Sequence, residues 1–180
     1  MNNLLRLALA PVVLFAAAPA SAGSAEQDKA FFRNVAGEWV GPGEIIAGKF
    51  KGTKFVCTFT GSTPDAEVGM TLDGGCRVGV FTQKMTATVE RAGGKGYRGT
   101  FQDGAEGKGL DIVAGNVVGA KKMVLTLNRN QLKGAMLANL PDRDTMTITV
   151  SVRVEEELVP VIGMNLKRVE KQAIGALAAE

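Results

Sequence analysis

From Trp39 onward, apolar and polar side chains alternate along most of the chain. The pattern is clearest in residues 145–154, TMTITVSVRV, where every second side chain is apolar. Successive side chains of a strand point to opposite faces, so this period of two predicts a half-buried β-strand. Similar runs predict eight to ten strands, at 38–47, 53–60, 68–73, 76–90, 96–102, 108–117, 121–128, 131–138, 145–154 and 158–169.

Short segments rich in turn-forming residues separate these runs. They include Gly74-Gly75, Gly93-Gly94, Asp103-Gly104, Asn128-Arg129-Asn130, Pro141-Asp142 and Glu155-Glu156-Glu157. Consecutive strands joined by short turns are expected to pair antiparallel, as in a meander. One apolar face per strand requires either a sandwich or a closed barrel. We favour the barrel, because closure removes exposed edges and the many strand glycines suit its bends.

A single helix is predicted ahead of the strands. In residues 25–35 the spacing of Phe31, Phe32 and Val35 gives them a common face. The sequence therefore predicts an all-β fold, a small antiparallel up-and-down barrel of about 8–10 strands with a short N-terminal helix. This domain is expected to span residues 23–170, followed by a tail at 171–180.

Residues 1–22 have the pattern of an export signal. Arg6 precedes an apolar run, and Ala20-Ser21-Ala22 offers a small-residue cleavage site. Two prolines interrupt the run, and its length is below the roughly 20 residues that a membrane span needs. We expect cleavage after Ala22 and a periplasmic or secreted mature protein with no membrane span.

The two cysteines, Cys57 and Cys76, are expected to form a disulfide. In an exported protein an even count favours a bridge over a metal pair, and their separation argues against a redox CxxC motif. A hairpin centred near Ala66 would place the two residues opposite each other on neighbouring strands.

The sequence contains no histidine. Ser–His–Asp and Cys–His mechanisms and metal binding through imidazole are therefore excluded. Glycine-rich segments precede predicted strands rather than the helix that a phosphate loop needs. The net charge is +3, with acids and bases interspersed, which does not resemble a nucleic-acid-binding patch. We expect no enzymatic activity, no cofactor, no metal and no nucleic-acid partner.

The segment FRNVAGEWV, residues 32–40, resembles the opening of calycin-type barrels, the lipocalins and their relatives. Those proteins begin with a short helix followed by Gly-x-Trp, here Gly37-Glu38-Trp39. The resemblance implies that Trp39 closes one barrel end beneath a basic residue of the last strand, Arg168 or, as second choice, Lys167. Small bacterial metalloprotease inhibitors share the Gly-x-Trp opening and two bridged cysteines, but this chain is longer than theirs.

Large apolar side chains facing the barrel interior are the candidate ligand-binding residues. They are Phe55, Phe59, Met85, Tyr97, Phe101, Met123 and Met146. A barrel of this size holds one small ligand or is filled by its own side chains, and methionine suits either role. We expect a non-enzymatic barrel that binds a small apolar or amphipathic ligand. The alternative is an envelope protein-interaction module, or a protease inhibitor, without a ligand cavity. An internal cavity would favour the ligand, and a filled barrel with an exposed apolar patch would favour the alternative.

Overall fold

The computed structural model describes residues 22–64, 68–93, 96–102 and 109–169. Within them, helix α1 (Ala22–Val35) precedes ten strands: β1 (Gly37–Ile45), β2 (Lys54–Ser62), β3 (Gly69–Val78), β4 (Phe81–Arg91), β5 (Tyr97–Gln102), β6 (Leu110–Val118), β7 (Lys122–Arg129), β8 (Leu132–Asn139), β9 (Thr145–Val154) and β10 (Glu157–Val169). Four predicted features lie wholly or partly outside the described residues. They are the signal peptide up to residue 21, the tail at 171–180, the turn at 103–104 and the second residue of the turn Gly93-Gly94.

The strands form a closed antiparallel barrel. Each strand pairs with the next along the chain, and β1 pairs with β10 to complete the circle. This confirms the predicted all-β barrel with a short N-terminal helix, and its ten strands are the upper end of the predicted number. The architecture is compatible with a calycin-like barrel.

Alternation along the strands determines which side chains fill the barrel. In β9, Met146, Ile148 and Val150 are buried, while the residues between them are partly exposed. In β7, every second side chain from Met123 to Leu127 is buried. The hydrophobic core therefore lies inside the barrel, on the strand faces that the period of two predicts.

The β3–β4 hairpin differs from its prediction. Strand β3 continues through Gly74-Gly75, the predicted turn, to Val78, and the chain reverses at Gly79-Val80. Gly79 has a φ of 57°, a left-handed conformation that glycine adopts without strain. A Cβ atom at Gly74 would overlap the carbonyl oxygen of Thr58 on β2. Gly74 therefore permits a close approach of two strands, and its assignment to a turn was wrong.

Strand β10 contains a register shift between Pro160 and Ile162. Simple alternation places Leu158 and Pro160 on the same face as Met164 and Leu166, which are buried. The extra residue reverses the alternation, and Leu158 is 47% exposed. Strict alternation over residues 158–166 of the predicted strand is therefore wrong for Leu158 and Pro160, before the bulge, and correct for Met164 and Leu166, after it.

Helix α1 packs against the barrel end at which β1 begins. Its side chains Phe31, Phe32 and Val35 are buried, and the Phe32 ring meets that of Tyr97 edge to face at 5.1 Å. The helix begins at Ala22, three residues before the predicted start. We call this end of the barrel the helix end. The opposite end, which carries the β1–β2, β3–β4, β7–β8 and β9–β10 turns, we call the far end.

Candidate functional site

The seven side chains predicted to line a ligand cavity lie at different levels of the barrel. Tyr97, Met123 and Met146 lie near the helix end and are at most 2% exposed. At that level Tyr97 packs against Phe32 of the helix. These three side chains therefore belong to the packed core beneath α1.

Three of the other predicted residues, Phe59, Met85 and Phe101, border a common internal cavity. Its volume is about 20 Å³, close to the ~10–15 Å³ that one water molecule requires. Phe55 packs with its ring against Gly43 and does not border this cavity. Binding of a small molecule inside the barrel stays a prediction, and at this cavity it would require the side chains to move apart.

Cys57 and Cys76 are bonded, which confirms the predicted disulfide. The two residues face each other in the β2–β3 register, with Cα atoms 4.0 Å apart. Both are buried, and their sulfur atoms contact the thioether sulfurs of Met164 at 3.6 Å and Met85 at 3.3 Å. The bond is thus part of an apolar, polarisable core cluster.

Arg168 connects the last strand to the end of helix α1. Its guanidinium carbon lies 4.2 Å from the ring centre of Trp39, its register partner on β1. The same guanidinium donates hydrogen bonds of 2.6 Å to the carbonyl oxygens of Asn34 and Ala36. Because carbonyls at the C-terminal end of a helix carry partial negative charge, this is a favourable place for a cation. Arg168 therefore combines cation–π stacking with capping of α1.

Two neighbouring contacts complete this closure of the helix end. The indole nitrogen of Trp39 donates to the carbonyl oxygen of Val35 at 2.8 Å. Lys167, the second candidate for the stacking residue, instead donates to the Thr145 hydroxyl at 2.6 Å. Arg168 and Trp39 therefore attach helix α1 to the barrel through hydrogen bonds, whereas Lys167 makes a hydrogen bond to strand β9.

Tyr97 fastens the other side of the helix. Its hydroxyl donates a 2.5 Å hydrogen bond to the Asp28 carboxylate on α1. Burial, and secondly this hydrogen bond, raises the pKa of Tyr97 well above its usual value. The hydroxyl therefore keeps its proton, and its role as a donor, throughout the neutral pH range.

Large apolar side chains are exposed at the far end. Phe50 in the β1–β2 loop is 63% exposed, Val80 in the β3–β4 turn 89%, and Phe81 at the start of β4 78%. We call these three residues the far-end patch. The sequence pattern does not predict this patch, because Val80 and Phe81 fall inside the predicted strand 76–90. A signal existed for Phe50, an aromatic residue in a predicted loop bounded by Gly48 and Gly52.

A surface groove of about 480 Å³ lies where β1, β2 and β10 meet. It is lined mainly by apolar side chains and glycines, with Glu44, Lys54 and Asn165 as polar groups. Its size lies within the range of about 300–1,000 Å³ typical of small-molecule sites. None of the seven predicted lining residues borders it.

In the part of the chain that the structure describes, no cluster of three or more cysteine, aspartate or glutamate side chains is arranged to hold a metal ion. Nor does any helix of that part have the length and apolar character to cross a membrane.

No protein-family model and no curated protein sequence matches this chain.

Proposed function

We propose that this protein is an exported, non-enzymatic binding module of the cell envelope that acts through the far end of its barrel. Export is supported by the signal pattern in residues 1–22 and by the buried Cys57–Cys76 disulfide, which suits an oxidising compartment such as the periplasm. A non-enzymatic role is supported by the lack of histidine in the sequence.

A distant lipocalin-like relationship forms part of the proposal. The Gly37-Glu38-Trp39 opening and the stacking of Arg168 on Trp39 support it. A shared fold does not transfer a ligand or a partner, so the binding role rests on the site and not on this relationship.

The observation that carries the proposal is the contrast between the two barrel ends. At the helix end, Phe31 and Phe32 of α1 are fully buried against the barrel. At the far end, the patch formed by Phe50, Val80 and Phe81 protrudes into solvent. Burying one such side chain is worth roughly 1.5–3 kcal/mol relative to exposing it. Large apolar side chains grouped on adjacent turns therefore indicate a surface that is covered by a partner.

Cell fractionation tests this proposal. The full chain is expressed with its own leader, and its distribution between the soluble periplasmic fraction and the sedimented envelope is measured. We expect wild type in the envelope fraction and the triple variant Phe50→Ser/Val80→Ser/Phe81→Ser in the soluble fraction. The matched control is Val118→Ser/Val124→Ser, which alters exposed valines away from the far end. Wild type in the soluble fraction, or a variant that stays in the envelope, would refute the proposal.

A second candidate function is binding of a small amphipathic molecule, and the 480 Å³ groove favours it. Native mass spectrometry of protein purified without detergent tests this function. The variant Gly163→Leu is expected to fill the groove without disturbing the strand, because a Cβ atom at Gly163 meets only the end of the Ile46 side chain, at 3.7 Å. Extra mass that is lost with Gly163→Leu would assign the ligand to the groove, and extra mass that persists would assign it to the interior. An unmodified mass in both proteins would refute this function.

A further inference from the structure

Two neighbouring hairpins bring the far-end patch together. Phe50 belongs to the β1–β2 loop, and Val80 and Phe81 belong to the β3–β4 turn. Strands β2 and β3 are paired beside these turns, with Val56 opposite Arg77. The two turns therefore leave the barrel side by side. Their apolar side chains are mostly exposed, so they protrude and do not line a pocket.

Positive charge surrounds the patch. Residues 44–56 and 76–84, which form the two turns and their flanks, contain one acidic side chain, Glu44, against five cationic ones, a net charge of +4. The cationic side chains, all exposed, are Lys49, Lys51, Lys54, Arg77 and Lys84. The whole chain carries only +3, so its positive charge is concentrated in these two hairpins. The Lys49 ammonium lies 5.6 Å from the centre of the Phe50 ring.

Three consecutive acidic residues at the far end lie to one side of this region. Glu155 and Glu156 form the β9–β10 turn, and Glu157 begins β10. Strand β10 separates β9 from β1 in the barrel, so the acidic turn flanks the basic hairpins on the β1 side. An anionic surface would therefore attract the basic hairpins and repel the β9–β10 turn, which favours one orientation of the barrel.

We infer that the basic hairpins dock on an anionic phospholipid membrane, with the far-end patch inserted among the lipid headgroups. This inference rests on the proposed function and names its partner. Apolar and aromatic side chains flanked by lysine and arginine are the combination that interfacial membrane segments use. Protein interfaces are depleted in lysine, whereas four of the five cations around this patch are lysines, which favours a lipid surface over a protein.

Vesicle binding by the purified mature protein tests the inference. The probes are vesicles with about 30% phosphatidylglycerol in phosphatidylcholine, and vesicles of phosphatidylcholine alone. We expect binding to the anionic vesicles, weakened by added salt, and little binding to the neutral ones. Each cation near such a surface contributes about fivefold in affinity, so Lys49→Gln/Lys51→Gln should weaken binding about 25-fold.

Three further variants make the test specific. Phe50→Ser/Phe81→Ser should also weaken binding, because it removes the inserted rings. Lys121→Gln/Lys122→Gln, a matched lysine pair at the helix end, should bind like wild type. Glu155→Gln/Glu156→Gln should bind more tightly, because it removes the repulsive turn. All these positions are exposed, so the circular dichroism spectrum should remain that of wild type.

The outcomes separate this inference from the proposed function. No binding to anionic vesicles, equal binding to neutral ones, or equal losses in the two lysine pairs would overturn the membrane inference. Suppose that the membrane inference fails, but that in cells wild type sediments with the envelope and the Phe50, Val80 and Phe81 triple variant is soluble. The proposed function then stands, and its partner is a protein. If wild type is also soluble in cells, both fail.

Discussion

The contact between Arg168 and helix α1 allows a quantitative test of how the helix end is held. Arg168→Met preserves most of the side-chain length, so it still covers the Trp39 ring, but it removes the charge and every hydrogen-bond donor. The guanidinium donates to three carbonyl oxygens, those of Asn34, Ala36 and Arg143, at 2.6, 2.6 and 2.8 Å. The variant leaves all three without this donor.

The expected loss follows from these contacts. Hydrogen bonds to a charged group contribute about 1.5–3 kcal/mol each, and the stacking on Trp39 contributes about 0.5–2 kcal/mol. These values do not add fully, because one group makes all the contacts and water can reach some of the freed carbonyls. The Asp144 carboxylate, 3.8 Å away and 71% exposed, contributes little. We therefore expect Arg168→Met to lower the free energy of unfolding by about 3–5 kcal/mol.

Equilibrium urea unfolding measures this loss, and the fluorescence of Trp39 reports on it directly. Trp39 is the only tryptophan in the sequence and lies beneath Arg168. Arg168→Lys keeps the charge and one donor group, so it should fall between wild type and Arg168→Met. The matched control is Arg153→Met, since Arg153 is exposed and makes one long hydrogen bond, of 3.4 Å, to Glu156. The control should change stability by less than about 0.5 kcal/mol.

Two results would refute this reasoning. One is an Arg168→Met variant that unfolds within about 0.5 kcal/mol of wild type. The other is an equal loss in the Arg153→Met control, which would mean that removing any strand arginine has the same effect. Either result would show that Arg168 does not hold the helix end.

Three further predictions concern the barrel itself. Replacing both cysteines, Cys57→Ala/Cys76→Ala, should lower the free energy of unfolding by about 3 kcal/mol, because the bond closes a loop with a sequence separation of 19; an unchanged urea midpoint would contradict this. Gly61→Ala should loosen helix α1, since the added Cβ would overlap the carbonyl oxygen of its last residue; faster amide hydrogen exchange in α1 would be the evidence, and unchanged exchange would count against it. The pKa of Tyr97 is raised in the folded protein, first by burial and then by the hydrogen bond to Asp28. Tyr97 therefore contributes its full stabilisation below its unfolded pKa of about 10, and this contribution is lost as the pH rises from there through the folded pKa. Wild type should therefore lose more stability than Tyr97→Phe between about pH 9 and pH 11, and parallel losses would exclude this contribution.

Local patterns in the sequence carried much of the fold. Alternation predicts which side chains of β7 and β9 are buried, because a strand exposes its two faces in turn whatever it pairs with. The Cys57–Cys76 pairing follows from a hairpin that is local in the chain. The Gly-x-Trp resemblance pointed to Arg168, which lies more than 120 residues after Trp39 in the sequence and stacks on it.

The candidate site depended far more on tertiary structure. Phe50 could be noticed as an aromatic residue in a loop, but its proximity to Val80 and Phe81 depends on where β3 turns. The position of that turn is decided by the pairing of β3 with β2, where Gly74 allows close approach and Gly79 supplies the reversal. Sequence periodicity does not contain this information, because it describes one strand at a time.

The sequence by itself thus determined the strand-rich class, the apolar faces, the disulfide and the helix that packs on one end. Tertiary structure alone decided the register, the bulge that turns Leu158 outward, the volume left inside the barrel and the grouping of the far-end patch. The physical reason is the range of the interactions. Alternation and turn preference act between residues close in the chain, whereas register and internal volume depend on all ten strands packing together at once.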